Sequence, residues 1–144
     1  MIEGDTIKLL RECDAGVQMG IASIEDVLPY VREKRLEKYL SDCKAAHEKL
    51  NCEIGELLES YHDEGKKPNP IAKGMSVMKT NFKLGINESD KTIASLMTDG
   101  CDMGVKSLSR YLNQYEAADE KSKDIAKRLI KLEENLAADI REFL

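Results

Sequence analysis

Met19-Gly20-Ile21-Ala22-Ser23-Ile24, running on to Leu28, returns as Met103-Gly104-Val105-Lys106-Ser107-Leu108, running on to Leu112. In the same order, His47-Glu48-Lys49-Leu50-Asn51-Cys52-Glu53-Ile54 answers to Glu133-Glu134-Asn135-Leu136-Ala137-Ala138-Asp139-Ile140, at a displacement only two residues larger. An internal repeat decides architecture ahead of any local propensity. This one reads as a single helical hairpin used twice.

The stripes of apolar residues agree. Ile7, Leu10, Val17, Ile21, Ile24 and Leu28 form a heptad stripe with one intruder, Asp14, where a hydrophobe is expected. Gly4-Asp5-Thr6 offers the helix start, with Asp5 or Thr6 as cap, and Pro29 places the first turn around residues 29–33. The clearest stripe follows: Leu36, Leu40, Cys43, His47, Leu50, Ile54, Leu57 and Tyr61, with the three-then-four spacing of a bundle seam. Gly65, Pro68 and Pro70 end it. Residues 71–84 carry a shorter helical pattern. Asn87 and Asp90 then read as an aspartate variant of the capping box, opening a helix through Ile93, Leu96, Met97, Cys101, Val105, Leu108 and Leu112. A turn near residues 115–119 leads to a last seam of Ala126, Leu129, Glu133, Leu136, Ile140 and Phe143. No stretch alternates as a strand would.

Gly16 and Gly20 share their spacing with Gly100 and Gly104. A glycine costs a helix about 1 kcal/mol relative to alanine, so such pairs imply close approach of a neighbouring backbone or bulky side chain.

These elements predict an all-α chain folded as one domain over residues 1–144: a first hairpin at about 5–62, a crossover at about 63–87 and a second hairpin at about 88–144. The crossover is longer than the roughly 2–8 residues that join antiparallel neighbours. A helix of its own inside it, spanning roughly 21 Å, lets the two hairpins pack in an up-down-down-up order.

Polar residues on the seams are the candidates for chemistry. Asp14 and His47 lie equally far from the first turn, and their repeat counterparts, Thr98 and Glu133, lie equally far from the second. Counting along the hairpins therefore gathers Asp14, His47, Thr98 and Glu133 into one layer at mid-height. A buried carboxylate must be paired or ligated, which leaves two readings. One is a hydrogen-bonded structural layer. The other is a mononuclear transition-metal site on Asp14, His47 and Glu133, since two carboxylates and an imidazole suit zinc, iron or manganese.

Duplicated hairpins, a helical crossover with the segment Ile71-Ala72-Lys73-Gly74-Met75-Ser76-Val77-Met78-Lys79, and polar mid-seam residues together resemble the ferritin-like four-helix-bundle superfamily. Within it the chain is similar to a bacterial branch of unknown function. The superfamily implies a di-iron site with a glutamate on each of two helices and Glu-x-x-His on the other two. Here the corresponding stretches read Lys44-Ala45-Ala46-His47 and Ile130-Lys131-Leu132-Glu133, so both bridging carboxylates are missing. Asp14 can stand for the first-helix carboxylate, but Thr98 cannot stand for the third.

The remaining residues narrow the function classes. A formal charge of −5 and a pI near 5.2 disfavour nucleic acid and anionic membranes as partners. The acidic start at Glu3 and Asp5 and the lack of a long apolar run read as cytoplasmic. Cys13, Cys43, Cys52 and Cys101 show no paired spacing and read as small core residues. Met75, Met78, Met97 and Met103 read as core, and His62 as solvated. Lys66, Lys67, Lys73, Lys79 and Lys83 make the crossover basic, either a solvated face or a dock for an acidic partner. The expectation is a non-catalytic bundle, without a cofactor, that binds another protein or itself; the alternative is a metal-binding or redox protein using the central layer.

Overall fold

The seams become four long helices. The computed structural model describes residues 2–65 and 89–144, and the expected crossover helix, the Asn87 cap and the crossover lysines lie outside them. Helix α1 spans Ile2–Val27 and ends in a short 3-10 turn, Leu28–Tyr30, in which Pro29 lies at the start, where its missing N–H costs nothing. Helix α2 spans Lys34–Ser60, α3 Ser89–Gln114 and α4 Glu120–Ile140, followed by a 3-10 turn at Arg141–Phe143. Among the described residues there is no strand, and no helix is long and apolar enough to cross a membrane.

Packing is closest within the pairs α1–α2 and α3–α4; between the pairs, α2 and α1 lie on α4, and α1 lies on α3. The core falls into two apolar clusters. One holds Leu9, Cys13, Leu50, Ile54, Ile125 and Leu129; the other holds Ile24, Leu36, Leu40, Cys101, Leu136 and Ile140. His47 lies between Cys43 and Leu50, and Glu133 between Leu129 and Leu136, so both fall where one cluster gives way to the other. Buried Leu40, Cys43, Leu50 and Ile54 on α2 have their repeat counterparts Ala126, Leu129, Leu136 and Ile140 buried on α4.

The helix starts do something the sequence reading did not anticipate. Asp5 and Thr6 are not the cap of α1, which begins earlier, at Ile2. Their oxygens cross to the second turn, where Thr6 Oγ1 accepts the Asp119 N–H at 2.8 Å and Asp5 accepts that of Ala117 at 3.1 Å. Asp90, at the start of α3, likewise accepts the N–H groups of Arg32 and Glu33 in the first turn, both at 2.9 Å. Glu33 and Asp119 are the N-cap residues of α2 and α4. Each hairpin therefore satisfies backbone donors at the other's turn, and Thr6 and Asp90 are equivalent positions of the repeat. At the first turn Arg35 also pairs with Glu142, beyond the end of α4.

Three core expectations are corrected, at Leu57, Met103 and Cys52. The α2 stripe ends on Leu58, 3% exposed, with Leu57 only half-buried, because a helix of 3.6 residues per turn drifts away from a strict heptad. Met103 is 64% exposed rather than core, while Met97 is buried. Of the cysteines, Cys13, Cys43 and Cys101 are buried and Cys52 is exposed.

Helix α2 closes with a Schellman motif: Asp63 N–H bonds to Leu58 O and His62 N–H to Glu59 O. The left-handed residue this needs is exposed His62, at φ 56°, where a side chain is disfavoured. Replacing His62→Gly is expected to stabilise the fold by about 1 kcal/mol. Asp90→Ala, which orphans two turn N–H groups, should destabilise it by about 1–2 kcal/mol. Denaturant titrations of both variants check the two signs.

Candidate functional site

His47 sits near the middle of α2 with its side chain 1% exposed. Its Nδ1 lies 2.8 Å from the carbonyl oxygen of Cys43, one turn back, and 3.5 Å from the Cys43 thiol. A carbonyl only accepts, so Nδ1 carries a hydrogen and donates it. Nε2 then faces Glu133 Oε1 across the α2–α4 boundary at 3.2 Å, and the Glu133 side chain is 12% exposed. Burial is the largest influence on His47 and disfavours its imidazolium. The hydrogen bonds with Cys43 and Glu133, together with negative charge around the ring, outweigh it and push the pKa up to about 10. The pair is thus an imidazolium bonded to a carboxylate inside the bundle.

The glycine spacing explains how a ring fits there. A Cβ added at Gly20 would lie 2.7 Å from both Cδ2 and Nε2 of His47, and one at Gly104 would lie 3.4 Å from Glu133 Cδ. Each polar side chain is therefore covered by the glycine of its own hairpin, at equivalent positions of the repeat. Gly16 meets only Leu129 at an ordinary 3.6 Å, and a Cβ at Gly100 would meet nothing within 4 Å. Of the four glycines, Gly20 is the one the site requires, since a Cβ at Gly104 would make only ordinary contact with Glu133.

The layer counted from the sequence is not assembled as such. Among the described residues no three or more His, Cys, Asp and Glu side chains are grouped so as to hold a metal ion. His47 and Glu133 meet. Buried Asp14 accepts from Gln18 Nε2 at 2.9 Å and packs against Gly65, beyond the end of α2. Thr98 donates to Ser95 O within its own helix. The reason is side-chain direction. In a helix the Cα–Cβ bonds lean toward the N-terminus. In an antiparallel hairpin this aims the first helix's side chains away from the turn and the second helix's toward it. Within each hairpin, Asp14 and Thr98 therefore lean away from their own turn, while His47 and Glu133 lean toward theirs and so toward Gly20 and Gly104. The repeated glycines carried that signal in the sequence, and counting Cα levels overlooked it.

Two of the buried thiols are quiet. The Cys101 pKa is raised, first by burial and then by the Glu133 charge; burial also pushes Cys13 up to about 12. Neither is a thiolate near neutrality, so neither is a ready nucleophile. At the far end of the bundle, Lys8, Arg11, Glu12, Gly65 and Tyr115 line an open depression of about 330 Å³. Its Arg11 is already engaged by Asp63, whose carboxyl it holds below the usual range.

Two outcomes follow from this geometry. Gly20→Ala should destabilise the protein by roughly 1–3 kcal/mol through overpacking, whereas Gly100→Ala should stabilise it by up to about 1 kcal/mol through helix propensity; thermal melts of both variants make the comparison. Because the folded pKa of His47 lies above its ordinary 6.5, its contribution is full below about pH 6.5 and is lost as pH rises through about 10. Wild-type stability should therefore fall across that window more steeply than that of a His47→Leu/Glu133→Leu double variant, as measured by denaturant titration at pH 6 to 10.5.

No protein-family model matches this chain, and comparison with curated proteins and with solved structures finds no match either.

Proposed function

We propose that the chain is a non-catalytic, ferritin-like bundle of two duplicated hairpins that acts through its surface, binding another protein or a second copy of itself in the cytoplasm of a bacterium. An up-down-down-up order is supported by the turn contacts. The first turn meets the start of α3 and the end of α4, and the second meets the start of α1. The duplication is supported by the equivalence of Thr6 with Asp90 and of Gly20–His47 with Gly104–Glu133.

The observation that carries the surface reading is the closure of the centre. Both nitrogens of His47 are engaged within the protein, and Gly20 packs against the ring so closely that a methyl group would not fit. A substrate has no room at that level. The second reading, a mononuclear metal centre on Asp14, His47 and Glu133, draws its support from the meeting of His47 with Glu133; it would require the ion to displace the proton shared by those two residues. Protein purified without chelators or a histidine tag is expected to carry no stoichiometric transition metal, and His47→Leu should leave its metal content unchanged in plasma mass spectrometry. About one equivalent of metal, lost in His47→Leu, would overturn the surface reading in favour of the second.

A further inference from the structure

We infer that the His47–Glu133 pair selects which hairpin packs against which, favouring the first hairpin against the second and disfavouring either hairpin against a second copy of itself. This does not rest on the surface-binding reading. The two hairpins offer each other α2 and α4 seams that are alike in being apolar. Leu40, Cys43, Leu50 and Ile54 on α2 correspond to Ala126, Leu129, Leu136 and Ile140 on α4, all buried and all apolar. The contacts at the bundle ends are equally undiscriminating, since Thr6 and Asp90 each accept an N–H from the opposite turn. Apolar burial has no direction, so these surfaces alone would let two copies pair first hairpin with first and second with second.

Along the α2 and α4 seams, one pair of counterparts breaks this apolar equivalence. Residues 47 and 133 are counterparts in the repeat, yet one is a histidine and the other a glutamate, and they meet each other at 3.2 Å. Pairing of like hairpins would set imidazole against imidazole in one bundle and carboxylate against carboxylate in the other. Gly20 closes the layer against the His47 ring. Like charges at such a site repel, or one must change its protonation state, and specificity between similar partners is achieved by that kind of clash in the wrong pairing. A buried ionic pair adds little net stability over an apolar one, whereas fixing register or partner is its best-attested role.

The test uses His47→Glu, Glu133→His and the chain carrying both. Each single variant has like groups at positions 47 and 133 in every possible pairing. Each should melt roughly 10 °C below wild type or fail to fold alone. Refolded together in equal amounts, they regain opposite groups by exchanging hairpins, so a 1:1 heterodimer is expected in native mass spectrometry, melting above either variant alone. Where neither single variant folds, helical protein recovered only from the mixture supports the inference in the same way. The doubly substituted chain should return to the wild-type mass and recover most of its thermal midpoint. A mixture that behaves as the sum of its parts would overturn the inference, as would a double variant no more stable than the weaker single one.

Discussion

The His47 ring occupies the space that any side chain at position 20 would need, and its Nε2 meets a carboxylate from the other hairpin. Much of the structure is arranged so that this can happen at low cost in free energy. Gly20 lets α1 approach the ring, and the Cys43 carbonyl orients the ring by accepting the Nδ1 hydrogen. The apolar clusters above and below keep water away, which strengthens the pair while making it costly to leave half-made. Because the two partners come from different hairpins, the interaction forms only when the hairpins dock. It reports on tertiary structure rather than on any one helix.

The ends of the bundle obey the same logic. A helix N-terminus leaves backbone donors without partners, and local side chains are the usual remedy. Here the donors ahead of α2 and α4 are met by acceptors on the opposite hairpin, Asp90 for one and Thr6 with Asp5 for the other. Only Asp119 adds the familiar local cap, accepting from Ser122 N–H at 2.8 Å. The docking of hairpins is therefore fastened at three levels by polar contacts that apolar burial alone would not specify.

Helices and seams were legible because their signal is periodic and local. The positions of α1 to α4 follow from stripes of apolar residues, and the first turn follows from Pro29. Errors arose where periodicity is ambiguous. Leu57 and Leu58 are both leucine, and only accumulated helical drift decides between them. Met103 continues an apolar-looking pattern, yet it faces outward. The candidate site was legible in half: two of its polar residues and both glycines were visible, but Asp14 was placed with them by counting along the backbone.

By itself the sequence determined the helix class, the burial of His47 and the close packing at Gly20, since each depends on spacing within one segment. Tertiary structure alone decided the partners. Whether His47 meets Asp14 or Glu133, and whether Asp90 caps its own helix or the opposite turn, depends on the lean of side chains and on how two hairpins lie together. Those are relations between segments, and no pattern within one segment encodes them.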